Sequence, residues 1–328
     1  MPKGGPAGIN CRSQGRRATL HDVMDAEQPR YSATLGDDPL AAPSEGDQIQ
    51  SVCLKMDAPK FDSIPLGLPT WDAFDGSLLA IGVLHDDRFK VWGTAVMIGP
   101  GLALTATHVL ANHHEQIRGG EVGVVCAGMR MNGTLELWSL RHLGNDEGDL
   151  TILSLQLATP LVDGGRFTSL PLSTRTPLRR ERLSVVGFRF EADAPIEADT
   201  AAVEGWLYAA AGEVGDVSHP VRDKILAPYP TIEILCGALG GMSGGAVLDS
   251  EGAVVGLVSR SLNSDDGEGP TLAAWVIPAL ALRPTVDWPP GLYPADTPLV
   301  QFPNVVRIVG REHLQVTGTT YELALWHG

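Results

Sequence analysis

The sequence predicts an all-β protein built as two antiparallel barrels or sandwiches. Three observations predict it: two sets of six short strand-like runs, turn residues between them, and no long stretch of helical periodicity. The first set is Leu78 to Leu84, Val91 to Ile98, Leu102 to Thr105, Glu121 to Ala127, Thr134 to Leu140 and Leu150 to Leu155. Asp86-Asp87 and Asn132-Gly133 supply turn chemistry inside it. The second set is Arg182 to Phe188, Ala201 to Ala209, Thr231 to Leu235, Gly245 to Asp249, Ala253 to Ser259 and Thr271 to Ile277. The chain's 38 Gly and 24 Pro among 328 residues fit a fold of many turns and short strands. Periodicity alone does not choose between barrels and sandwiches.

These runs divide the chain. Residues 1–75, rich in Gly, Pro, Asp and Ser, read as a loosely ordered arm, with a short helix conceivable over Arg17 to Met24 and an apolar stretch, Asp57 to Phe74, able to lie on a domain surface. Residues 76–157 hold the first β unit and residues 181–283 the second. Between them, residues 158–180 carry Pro160, Pro171, Pro177 and Gly164-Gly165, which reads as a linker. Residues 284–328 begin with a proline-rich segment and end in the strand-like Val305 to Val309, Leu314 to Thr317 and Tyr321 to Trp326, predicting a small β extension packed on the body.

Composition excludes several functions. With 24 Lys+Arg against 39 Asp+Glu the net charge is −15, which disfavours nucleic acid and anionic membrane surfaces as partners, because both require basic neutralisation. The longest apolar run, Leu272 to Leu282, is broken by Pro278 and is too short to span a bilayer. The basic N-terminus is followed by no apolar segment of a signal peptide, so cytoplasmic residence is expected. Cys11, Cys53, Cys126 and Cys236 lack zinc-like spacing and read as free thiols. His113 and His114 follow His108 without an acidic or cysteine partner at ligand spacing, so no metal is expected.

Chemistry concentrates in three stretches. Gly240-Gly241-Met242-Ser243-Gly244-Gly245-Ala246 places a hydroxyl among glycines, where the N–H groups of Gly241 and Ser243 could both face a developing oxyanion. Taken alone, that run is equally a glycine-rich turn with an incidental serine. Upstream, Leu102-Ala103-Leu104-Thr105-Ala106-Thr107-His108 sets an imidazole just after a buried strand, suited to a general base. Between them Asp149 precedes the strand Leu150-Thr151-Ile152-Leu153, where a carboxylate could orient that imidazole, with Asp146 as competitor.

Together the three stretches resemble the trypsin-like serine peptidase family, in particular bacterial members with Thr-Ala-x-His, Asp-Leu-x-x-Leu and Gly-x-Ser-Gly-Gly in this order. The resemblance spans about Leu78 to Ala281 and implies a chymotrypsin-like double barrel of two six-stranded barrels. It implies His108 and Asp149 from the first barrel, Ser243 as nucleophile from the second, and Gly241 and Ser243 as oxyanion hole, with no cofactor. The strand Val255 to Ser259 corresponds to the family's segment that pairs with the substrate backbone, which implies that Ser259, Arg260 and Ser261 edge the cleft, and Gly237 and Ala238 correspond to the specificity pocket. The implied activity is endopeptidase cleavage of a protein or peptide substrate. The alternatives are a catalytically silent binding module and a protease gated by a regulatory partner or by its own extensions.

The sequence departs from the family pattern in places. Met242 stands where zymogen-activated relatives carry an aspartate, so activation by a freed N-terminal amine is not expected. Gly237 stands where arginine- and lysine-specific relatives carry an aspartate, which leaves a small or apolar side chain as the expected preference. Asp265, Asp266 and Glu268 form an acidic loop that reads first as a solvated charge run. Too little chain follows the second barrel for the PDZ module of some bacterial relatives, so processive oligomeric quality control is not implied.

Overall fold

The computed structural model describes residues 8–9, 53–57, 74–85, 88–130, 135–159, 168–190, 202–263, 268–288, 291–302, 305–317 and 320–327. Two short strands, β1 (Gly8–Ile9) and β2 (Cys53–Asp57), come from the N-terminal region. The first barrel is formed by β3 (Leu78–His85), β4 (Arg88–Gly99), β5 (Leu102–Ala106), β6 (Gly123–Met129), β7 (Leu135–Glu147) and β8 (Leu150–Leu157). It closes in the order β3-β4-β5-β8-β7-β6, every pair antiparallel. After β9 (Leu172–Ser173), the second barrel uses β10 (Arg182–Phe190), β11 (Ala202–Ser218), β12 (Thr231–Ile234), β13 (Ala246–Leu248), β14 (Val254–Asn263) and β15 (Glu268–Trp275). The path β11-β10-β13-β14-β15-β12 returns on itself through the β11–β12 pairing, so this barrel is closed too. Closure removes the exposed sheet edges that a sandwich would leave.

Burial explains why several strands carry no charged residue on either face. All eight residues of β8 and all five of β5 are buried. One face of the first barrel, including Leu79, Ile81, Met97, Ala103, Leu153 and Leu155, forms a core of its own. The alternate residues, including Leu78, Ala80, Ile98, Leu102 and Leu104, join a larger core with Phe188, Leu248 and Leu257 of the second barrel and Tyr293 and Phe302 of the C-terminal region. Both faces of these strands are therefore covered, which excludes charged side chains from them. A third cluster, with Val185, Ile232, Val247, Val255 and Trp275, belongs to the second barrel.

Two strands run further than their composition predicts. β7 continues past Leu140 through Arg141 and His142 to Glu147, with irregular register at Leu140/His142 and Leu143/Asp146. Gly144 permits the close approach, since a Cβ there would lie 1.8 Å from the Ile152 side chain. β11 continues past Ala209 through small residues to Ser218, and at Gly212 a Cβ would come within 2.8 Å of the Leu235 backbone. Small side chains let β11 bend over β12 and close the barrel.

The flanking segments are tied to this body. β2 adds to β11 in parallel, pairing Cys53 with Ala202 through Asp57 with Trp206, and β1 pairs β2. The suggested helix over Arg17 to Met24, the acidic residues Asp265 and Asp266, and most of the Asp57 to Phe74 stretch lie outside the described residues. In the segment read as a linker, β9 is buried and pairs with β14 and with β16 (Ile308–Val309). There buried Arg175 bonds Asp249 at 2.9 Å and pairs with Glu181. The C-terminal region ends in the hairpin β17 (Leu314–Thr317) and β18 (Thr320–Leu323), and Trp326 Nε1 donates to Thr174 Oγ1 at 2.9 Å.

Candidate active site

The residues that converge between the barrels start from a tight turn. β7 and β8 are joined by Gly148-Asp149, flanked by the Glu147/Leu150 pair, and both central residues have positive φ, 59° and 62°. A two-residue hairpin with positive φ at both positions is the type I′ geometry, which glycine adopts freely and aspartate tolerates better than most residues. The Gly-Asp dipeptide thus turns the carboxylate of Asp149 back toward the end of β5.

There the helix α1 (Thr107–Leu110) begins directly after the strand, with no side-chain cap from Ala106. Asp149 takes over that role. Its carbonyl accepts from Thr107 N–H at 3.1 Å and its Oδ1 accepts from His108 N–H at 3.1 Å, satisfying donors that a helix start leaves open. The imidazole is held by the same carboxylate, with His108 Nδ1 3.1 Å from Oδ1 and 3.0 Å from Oδ2. With an ionised carboxylate, Nδ1 carries the proton and Nε2 is left as acceptor. The His108 side chain is 36% exposed and that of Asp149 only 10%, so the imidazole meets the cleft while its carboxylate partner stays covered.

Burial pushes the Asp149 carboxyl upward, but the hydrogen bond and charge of His108, the Ser259 hydroxyl and the His108 backbone N–H outweigh it, leaving the group below the ordinary carboxylate range. Asp149 is therefore an anion at neutral pH. Ser259 Oγ donates to Asp149 Oδ2 at 2.6 Å, and Tyr229 Oη lies 2.5 Å from Ser259 Oγ and 3.4 Å from that same Oδ2. Asp146, the competing aspartate, is exposed on β7 and makes none of these contacts.

From the second barrel comes the glycine loop. Gly241 has φ +92° and Gly244 φ +82°, both left-handed, and Gly245 N–H closes a turn onto Met242 O at 2.8 Å. Met242 is fully buried in the second-barrel core, where its sulfur accepts Leu239 N–H at 3.2 Å. Among the described residues, neither the Gly241 nor the Ser243 N–H donates to another protein group. Two backbone donors beside one hydroxyl are what an oxyanion site requires. The Ser243 hydroxyl itself donates to Ser259 O at 3.5 Å.

Thr94 of β4 holds this loop against the first barrel. Its N–H donates to Ser243 O at 2.7 Å, its hydroxyl donates to Gly241 O at 3.0 Å, and the hydroxyl accepts Phe188 N–H at 2.9 Å. The contact is close enough to exclude side chains: a Cβ on Gly93 would sit 2.9 Å from Ser243 O. A cleft of about 430 Å³ opens beside it, lined by Lys90, Val91, Trp92, His108, Val109, Asn112, His113 and Ser243. The His113 ring lies tilted against Trp92 with ring centres 4.2 Å apart, and its Nδ1 is 2.5 Å from Gln116 Oε1.

The structure thus gathers His108, Asp149, Gly241 and Ser243 at one place. The other expected positions are dispersed around it. Gly237 and Ala238 are buried behind the loop, Ala238 N–H approaches Ser261 Oγ at 3.4 Å, and Arg260 is exposed. The Ser259 side chain is buried against Asp149, while its carbonyl faces Ser243. No sequence pattern marks Thr94 or Tyr229, which reach the site across 147 and 80 residues of chain. The one local signal is Pro228-Tyr229-Pro230, an aromatic held between two rigid residues.

A family model for the trypsin-like peptidase domain matches residues 93–257. No curated protein matches the chain significantly. Solved structures that align with the chain include the HtrA-type protease AlgW with a decapeptide, at 15% identity and TM-score 0.43, covering 62% of this chain and 63% of that one. Deg5 aligns at 17% identity and TM-score 0.43, covering 63% of this chain and 86% of its own. The Rv3671c protease of M. tuberculosis in its inactive form aligns at 14% and 0.41, covering 64% and 88%. The chain spans 58–63% of the length of the HtrA-type neighbours.

Proposed function

The chain belongs to the trypsin-like peptidase family, and from the geometry at Ser243 we propose that it is a serine endopeptidase working through an acyl-enzyme. In this reading Ser243 Oγ attacks a peptide carbonyl while His108 Nε2 removes its proton. Asp149 fixes the Nδ1–H tautomer and stabilises the imidazolium. The oxyanion forms toward the N–H groups of Gly241 and Ser243, each such donor contributing roughly 3 kcal/mol to the transition state. His108 then hands its proton to the leaving amine, and water repeats the sequence on the acyl-enzyme. The observation that carries the proposal is the imidazole gripped by both Asp149 oxygens next to a serine loop whose two N–H groups have no protein acceptor among the described residues.

Substrate is proposed to bind as an extended strand. Among the described residues, β14 pairs beyond Val258 on one side only, with β15, and the other edge at Ser259 to Ser261 would take the peptide backbone. Gly237 and Ala238 favour a small or apolar residue at the cleavage site. Met242, sunk in the apolar core, offers no carboxylate to receive an N-terminal amine.

The second reading is a binding module without turnover, favoured by the Ser243 hydroxyl resting on Ser259 O at 3.5 Å. Triad hydrogen bonds are often loose before substrate binds, and His108 and Ser243 line the same cleft. A fluorophosphonate separates the two, because it reacts only with an activated serine. One adduct by intact mass, absent in Ser243→Ala, is the expected result. A folded chain that takes up no reagent overturns the enzyme in favour of the binding module.

A further inference from the structure

We propose that Tyr229 is a positioning residue for the catalytic centre, acting on Asp149 through Ser259. The inference rests on the peptidase reading and follows from counting protons. Ser259 has one hydroxyl hydrogen, and its 2.6 Å bond to Asp149 Oδ2 uses it, since an ionised carboxylate can only accept. The 2.5 Å contact between Ser259 and Tyr229 must then be donated by the phenol. Tyr229, Ser259 and Asp149 form one directed chain ending on the carboxylate that holds His108. The direct Tyr229 to Asp149 distance of 3.4 Å exceeds the usual O–H···O range, so the influence passes through Ser259. In such a chain each bond polarises the next.

The surroundings fix the phenol in this role. Pro228 and Pro230 restrict the backbone on either side, and the ring is buried in the large core. The Gly148-Asp149 turn packs directly on it, a Cβ at Gly148 falling 3.4 Å from Tyr229 Cβ. Burial, and then the charge of Asp149, push the phenol above its ordinary value against the opposing pull of Ser259 and Arg260, so it remains a donor at neutral pH. The groups facing Asp149 are His108 from α1, Ser259 from β14 and Tyr229 from the loop before β12, with Arg260 behind the phenol.

The test is Tyr229→Phe in the full chain, which keeps the ring and removes only the donor. Fluorophosphonate labelling of Ser243 is expected to slow by roughly two- to tenfold, the scale of one hydrogen bond in a buried network. The proton resonance of the His108 Nδ1–H···Asp149 bond is expected to move downfield, because Asp149 loses part of its competing donor and draws harder on the imidazole. Ser259→Ala should do the same, and Tyr229→Phe should add nothing in that background. An unmoved resonance and unchanged labelling in folded Tyr229→Phe overturn the proposal, as does a full Tyr229→Phe effect in Ser259→Ala. A resonance that moves while even the wild-type chain takes no reagent sustains the positioning role and removes the peptidase reading instead.

Discussion

Replacing Thr94 by valine isolates what ties the serine loop to the first barrel. The side chain is fully buried and valine fills nearly the same volume, so packing is preserved and only the hydroxyl is lost. That hydroxyl donates to Gly241 O at 3.0 Å and accepts Phe188 N–H at 2.9 Å. Two net hydrogen bonds at about 1 kcal/mol each, plus some desolvation cost at the Gly241 carbonyl, give a loss of about 2–3 kcal/mol. For a domain this large that corresponds to a Tm lower by roughly 5–10 °C. Gly241 also carries one of the two proposed oxyanion donors, so freeing its carbonyl lets that donor drift, and labelling by fluorophosphonate is expected to slow by roughly 10- to 100-fold. Thermal unfolding and labelling rate are measured on the same preparation, with Thr94→Ser as the control that keeps the hydroxyl. A variant that loses stability but labels at the wild-type rate refutes the argument, because the Thr94 N–H to Ser243 O bond would then hold the loop unaided.

Two further outcomes follow from the same geometry. Gly244→Ala would put a Cβ 2.0 Å from Thr94 O and 2.4 Å from Thr105 Oγ1 at a φ of +82°, so it is expected to destabilise more than Thr94→Val, by above roughly 3 kcal/mol, or to prevent soluble expression, checked by thermal unfolding. Asp149→Asn tolerates the turn but lets Nδ1 lose its proton, and labelling should fall by roughly 10⁴-fold. Because the folded-state value of Asp149 is depressed, its charge stabilises the fold fully above the unfolded value near 3.8 and loses that contribution as pH falls through the lower folded value. Acid titrations of wild type and Asp149→Asn should therefore diverge above pH 3.8 and converge below the folded value.

Much of this architecture is legible in the sequence because apolar runs and turn dipeptides are local signals. Leu102 to Thr105 and Leu150 to Leu155 match β5 and β8 closely, since full burial on both faces leaves no charged residue to blur them, only the small or neutral Thr105, Thr151, Ser154 and Gln156. The ends of β7 and β11 are lost where Arg141, His142 and a string of small residues mimic a turn, although barrel pairing keeps them extended. At the site, His108, Asp149, Gly241 and Ser243 could be found because each lies within a short motif bound to a strand end. Asp149 is distinguished from Asp146 in the sequence by standing directly before the apolar strand Leu150 to Leu153. Thr94, Tyr229 and the inward turn of Ser259 have no such signature, since their roles depend on the register of one barrel against the other. The pairing of β2 with β11 is hidden for the same reason, an edge contact between segments about 150 residues apart with no shared pattern.

The most direct test of the central claim is a crystal structure of the chain after fluorophosphonate treatment, since the phosphonyl oxygen stands in for the oxyanion. The account predicts phosphorus bonded to Ser243 Oγ, with that oxygen roughly 2.7–3.1 Å from the N–H groups of both Gly241 and Ser243 and His108 still held by Asp149. An adduct on Ser243 whose oxygen points away from both N–H groups would contradict it.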